Sequence, residues 1–130
     1  MYFIKKQKNI YKACLPIAVP INQKYNVVNG KNILSKKYRG YKNDIAKLPH
    51  PSPIPKEYVK RVFQKNVIVE ICLYEKDNRR DVDACVKIIF DVLNGKVWED
   101  DSQIWSIIIK QYVDKDNPRV QLSAVKELRG

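Results

Sequence analysis

The stretch NRRDVDACVKIIFDVLNGKVWEDD, Asn78 to Asp101, decides the fold because the hydrophobic period changes at both of its ends. Inside it, Val82, Val86, Ile89 and Leu93 recur at helical spacing, and Cys85, Ile88 and Phe90 widen that apolar stripe. Asn94-Gly95 is a natural stop, since the residue after a helix often takes a left-handed conformation. The same stretch gathers six acidic residues in a chain of formal net charge +11.

On both sides the period drops to two. In NVIVEICLY, Val67, Val69, Ile71 and Leu73 fall on one face and Ile68, Cys72 and Tyr74 on the other, interrupted by Glu70. This predicts a central strand buried on both sides. QIWSIIIKQYV predicts a strand with Trp105, Ile107, Ile109 and Val113 turned inward, and RVQLSAV a last strand after the turn DKDNP.

Further out, ACLPIAVPI (13–21) suits a strand near a sheet edge, punctuated by prolines. VVNGKNIL reads as a hairpin, with Val27-Val28 and Ile33-Leu34 flanking the tight-turn pair Asn29-Gly30. SKKYRGYKNDIAKL predicts a helix from a Ser35 cap to about Leu48, and PHPSPIP a stiff connector. His50 has no Cys or acid at ligand spacing and reads as structural. Strands, a helix, a strand, a helix and strands imply an α+β fold: a mixed β-sheet with helices packed on it, in a single domain over residues 1–130.

Charge divides the chain. Residues 1–66 hold fifteen Lys+Arg against two acids (15 − 2 = +13), whereas 67–130 hold ten against twelve (10 − 12 = −2). A basic half of this kind attracts phosphate backbones irrespective of sequence, and salt weakens the attraction. The three cysteines, Cys14, Cys72 and Cys85, are widely spaced in apolar surroundings, which suggests neither a disulfide framework nor a zinc site and suits a reducing cytoplasm. Lysines interrupt the N-terminal segment too often for a signal peptide, and no apolar run reaches transmembrane length.

Asp81 and Asp83 stand two apart where strand gives way to helix, so in extended backbone their carboxylates would converge. Two like charges at about 4 Å repel by roughly 4 kcal/mol at an effective dielectric near 20, so a divalent cation is the natural compensation. An all-oxygen donor set favours Mg2+ or Mn2+. Asp83, Lys87 and Asp91 form a polar stripe at i, i+4 and i+8. Asp100 and Asp101 precede the strand near Ile104; if it pairs beside the strand ending at Tyr74, its leading end would meet the Asp81/Asp83 junction. The structural alternative has Asp81 capping the helix, Asp83 complementing its dipole, Lys87 and Asp91 pairing on the surface, and the acidic turn merely solvated.

The run RDVDACVKIIFDVLNGKVWEDDSQI, Arg80 to Ile104, resembles the Arg-Asp-x-Asp-Asn-x-x-Lys…Asp-x-Leu…Asp-Asp-x-Gln pattern of RusA-type Holliday junction resolvases, endodeoxyribonucleases common in phages and prophages. Asp81 and Asp83 match the paired aspartates, Lys87 the motif lysine, Asp100-Asp101 the later pair, and Gln103 the glutamine; Ala84 stands where the family usually has Asn. The resemblance implies an Mg2+-dependent homodimer, with Mn2+ a substitute, that hydrolyses opposed strands of a four-way junction in DNA recombination and repair. Asp81, Asp83 and Asp101, aided by Asp100, would hold the metal, and Lys87 would steady the phosphate.

Lys36, Lys37, Arg39 and Lys42, with Tyr38 and Tyr41 interleaved for stacking, and Arg79 and Arg80 beside the site are the expected DNA contacts. Two other readings use the same residues: a non-catalytic nucleic-acid-binding protein, and a nuclease acting on flaps or other branches.

Overall fold

The computed structural model describes residues 1–17, 24–56, 66–77 and 82–127, with positions 82–84 described for their backbone only. Among the described residues seven strands and two α-helices follow in the order β1 (Phe3–Gln7), β2 (Ile10–Leu15), β3 (Tyr25–Val28), β4 (Lys31–Leu34), α1 (Lys36–Ala46), β5 (Val67–Glu75), α2 (Val82–Leu93), β6 (Ile104–Val113) and β7 (Arg119–Lys126), with a single 3-10 turn (Asp101–Gln103) leading into β6. Five strands form a mixed sheet in the order β1-β2-β7-β5-β6, and β3-β4 stand apart as a two-stranded hairpin.

β5 and β6 are parallel, and every other pairing is antiparallel. A parallel neighbour needs a crossover, and α2 supplies it. One row of paired residues, Ile4, Ala13, Leu122, Ile71 and Ile109, crosses the whole sheet on the face that the core covers. Val67, Val69, Ile71 and Leu73 are fully buried there, under Cys85, Ile88, Ile89, Val92 and Leu93 of α2. Each such side chain stabilises the fold by roughly 1.5–3 kcal/mol relative to exposure.

The hairpin and α1 follow their local signals. Asn29 (φ 52°) and Gly30 (φ 76°) both take positive φ, as a two-residue hairpin turn requires. Ser35 caps α1, its Oγ accepting from Tyr38 N at 3.1 Å. The helix stops at Ala46, two residues short of the expected Leu48. Gly95 (φ 80°) follows the end of α2.

Three expectations are corrected. The early strand begins at Ile10 and ends before Pro16; it lies near a sheet edge as expected, one place inside it, beside β1, which the sequence pattern does not anticipate. Of the expected strand 13–21, residues 18–21 lie outside the described residues. β5 is fully buried on one face only: Ile68, Glu70, Cys72 and Tyr74 are half-buried on the other, over which no helix among the described residues packs. β6 is the sheet's edge, so Trp105, Ile107 and Val113 are exposed and Ile109 is half-buried.

The connector runs as a strap beside the turn that leads to β6. Ile54 N donates to Val97 O at 2.8 Å and Glu99 N to Ile54 O at 3.3 Å, burying Ile54 against the core that includes Trp98. His50 is exposed, its Nδ1 3.0 Å from Pro51 O. The described cysteines are all unbridged. Among the described residues no helix is long and apolar enough to cross a membrane.

Candidate active site

The expected pairing of β6 beside β5 is present, and Asp81 and the side chain of Asp83 lie outside the described residues. The pairing is parallel, so the leading residue Ile104 lies beside Val67, at the opposite end of β5 from Glu75. The acidic turn meets α2 further along. Asp101 feels the charges of Lys87 and Asp91, one and two turns beyond Asp83.

Asp101 lies within electrostatic reach of Asp91, Asp100 and Lys87, and Lys24 and Lys56 sit beside Asp91 and Asp100. Asp91 Oδ2 accepts from Lys24 Nζ at 3.1 Å, and this pair is largely shielded. Burial alone would lower the Lys24 pKa, but the bond to Asp91 and that carboxylate's charge outweigh it and hold the ammonium above its ordinary value. Asp100 Oδ2 accepts from Ser102 Oγ at 2.7 Å and lies 3.8 Å from Lys56 Nζ. The Ser102 bond is the main reason the Asp100 carboxyl sits below the ordinary range.

Asp101 is the least compensated of the three. Burial raises its pKa first, and the bond to Asp100 with the charges of Asp100 and Asp91 raises it further, against the opposing pull of Lys87. Neighbouring carboxyls are thus driven apart, Asp100 below and Asp101 above the ordinary carboxylate value, the usual consequence of crowding anions where solvent is partly excluded. A cation at Asp101 would relieve that crowding, so oxygen donors in this arrangement fit a hard divalent ion.

Gln103 gives the turn its shape. It is buried, its Oε1 accepting from Asp100 N at 2.9 Å and its Nε2 donating to Ile54 O and Pro55 O at 3.2 Å each. One side chain therefore ties the acidic turn to the proline strap. The motif match contains this residue but says nothing of the two strap carbonyls it binds, which lie almost fifty positions earlier.

Of the site residues expected from sequence, Lys87, Asp100 and Asp101 come together, and Asp83 belongs to the first turn of the same helix. Asp81, Arg79 and Arg80 lie outside the described residues, as does the side chain of Asp83. Among the described residues no three carboxylate, thiol or imidazole groups cluster as a metal site. Lys36, Lys37, Arg39 and Lys42 are exposed along α1, as DNA contacts require. Tyr38 and Tyr41 are not: both are buried, and Tyr41 Oη donates to Pro16 O at 2.9 Å, so they pack α1 onto the core instead of stacking on bases.

Sequence reasoning leaves out Lys24 and treats Asp91 only as part of a stripe. Lys24 and Asp91 are 67 residues apart, and no local spacing signals their pairing.

In comparison with known families, the model of endodeoxyribonuclease RusA matches residues 16–123, which takes in the site and most of the sheet. No curated protein matches the chain.

Proposed function

Because the chain belongs to the RusA family of endodeoxyribonucleases, metal-dependent enzymes of Holliday junctions, we propose that it is a single RusA-like domain over residues 1–130 that resolves four-way junctions by paired, symmetric hydrolysis. It would serve DNA recombination and repair as a homodimer. The observation that carries this reading is the approach of the Asp100-Asp101 turn to Lys87 and Asp91 of α2, the helix whose first turn contains Asp83.

Asp81, Asp83 and Asp101 would hold the ion, Mg2+ or in its place Mn2+, with Asp100 assisting. Bound there, the ion supplies Lewis acidity toward the phosphate and lowers the pKa of water. The chain's own residues do the rest. Lys87, exposed beside the carboxylates, orients the scissile phosphate and offsets charge developing on its oxygens. Lys24 and Lys56 balance Asp91 and Asp100, which leaves Asp101 as the carboxylate most in need of a cation. Gln103 keeps the turn in register with α2 by holding it to the strap.

Exposed Lys36, Lys37, Arg39 and Lys42 on α1 gather the polyanion, with Arg79 and Arg80 as further contacts beside the site.

The edge strand β6 supports the dimer. It is ten residues long, contains a single charge, Lys110, and exposes Ile107, Ile108, Tyr112 and Val113. Edges are usually blunted by several charges, prolines or short length. Antiparallel pairing of two copies about Ile108 or Ile109 would set Lys110 opposite Ser106 or Ile108, never opposite itself.

The test is cleavage of a labelled four-way junction beside linear duplex and flap controls, with Mg2+ or EDTA. Paired nicks that need Mg2+ and spare the controls are expected. Tight junction binding without nicks at any enzyme concentration would make the chain a binding protein instead, and preferential flap cleavage a nuclease for other branches.

A further inference from the structure

The β3–β4 hairpin is an unusual place for apolar side chains. Two-stranded hairpins are marginal in water, and their stability normally comes from packing a face. Here all four β3 residues are exposed, Val27 at 73% and Val28 at 47%, and Ile33 of β4 at 45%. The pairing places Val27 on one face of the ribbon and Val28 with Ile33 on the other, so both faces present apolar groups.

The hairpin's base, in contrast, is firmly held. Ser35 N donates to Lys24 O at 2.7 Å, closing the ribbon, and Lys24 Nζ binds Asp91 in the carboxylate cluster. From there, four residues of strand at about 3.3 Å each carry the tip roughly 13 Å outward, enough to traverse a major groove about 8.5 Å deep. No Asp or Glu precedes Asp44 in the chain, and Lys31 and Lys36 sit in and beside the ribbon. An acidic, phosphate-bearing surface is therefore the partner that charge selects.

We propose that this hairpin is a DNA wedge: Val27, Val28 and Ile33 insert between base pairs at the crossover of a branched duplex while the Lys24–Asp91 pair fixes the wedge relative to the carboxylates. Apolar wedges open base steps at a cost of unstacking, and that cost is least where stacking is already interrupted, as at a branch point. The wedge thereby ties the position of the scissile phosphate to the branch and gives the site a structural preference without reading bases. This inference rests on the reading of the chain as an enzyme of four-way junctions.

The experiment uses the full chain and a synthetic four-way junction carrying 2-aminopurine at the crossover, in Ca2+ so that the strands stay whole. Saturating wild-type protein is expected to raise the fluorescence about two-fold or more, with no rise for the same fluorophore in linear duplex. Val27→Asn/Val28→Asn and, separately, Ile33→Asn should abolish the rise while weakening junction affinity by less than about ten-fold, since phosphate contacts supply most of the binding. These side chains are exposed, so melting curves should not change. An absent rise with bound wild-type protein, or an undiminished rise with the variants, overturns the wedge. A junction that brightens but is never nicked in Mg2+ keeps the wedge and removes the resolvase; paired nicks without brightening do the reverse.

Discussion

Lys24 Nζ lies 3.1 Å from Asp91 Oδ2, and this ion pair fastens the basic N-terminal half of the chain to the acidic face of α2. It links the part of the molecule proposed to gather DNA to the part that would do the chemistry. Lys24→Ala should cost about 1 kcal/mol of stability, the upper end for a pair that retains some exposure. Junction cleavage should fall more than about ten-fold, because proximity effects are sensitive to small misplacements. Lys24→Arg should keep most of both. Thermal melting and single-turnover cleavage, measured together, check this.

Gln103→Ala removes the clamp between the acidic turn and the strap. Two carbonyls, Ile54 O and Pro55 O, are left without their shared donor, and a buried space opens. Destabilisation of about 2–3 kcal/mol is expected. If Gln103 positions the turn, cleavage by the fraction still folded should drop while junction affinity holds. Equal losses in both would indicate a purely global defect.

Asp101→Asn should abolish cleavage without weakening the metal-free protein. The Asp101 pKa is raised by burial and by neighbouring carboxyls, so protonation of this group favours the fold. Its contribution is fully present below the ordinary carboxylate value of 3.8 and is lost as pH rises through the elevated folded value. Asn resembles the protonated state. At pH 7 the variant should equal or exceed wild type by roughly a few tenths of a kcal/mol, and the advantage should vanish toward pH 4. Melting curves at the two pH values decide it.

Ile108→Lys places a charge on the open edge. In antiparallel self-pairing about Ile108 or Ile109, it would face its own copy or Lys110, so a dimer built on β6 should dissociate at micromolar concentration. Sedimentation should then show monomers with unchanged melting, since Ile108 is 47% exposed. Junctions should receive unpaired nicks. A variant that sediments as wild type does would move the interface elsewhere.

Replacing Lys36, Lys37 and Arg39 together by Ala should weaken junction and linear duplex binding alike. The slope of log affinity against log salt should fall by about 0.9 for each phosphate that the variant no longer neutralises. An unchanged slope would remove α1 from the DNA surface.

The elements legible in the sequence are those whose signals are local. The helical stripe from Val82 to Leu93, the Asn29-Gly30 turn and the Ser35 cap each involve residues within a few positions of one another, where backbone geometry alone sets the spacing. The spacing of Asp81, Asp83 and Lys87, which carries the family resemblance, is local in the same sense.

Only the tertiary structure decided the remainder. The apolar alternation of β6 is the same whether the strand lies at the centre or the edge, because periodicity reports faces and not neighbours. Tyr38 and Tyr41 are as suited to stacking on bases as to packing a core; only the direction in which α1 meets the sheet buries them. The Lys24–Asp91 pair and the Gln103 clamp join residues 67 and almost fifty positions apart, and contacts at that range arise from how the strands and α2 are ordered, which no local pattern encodes.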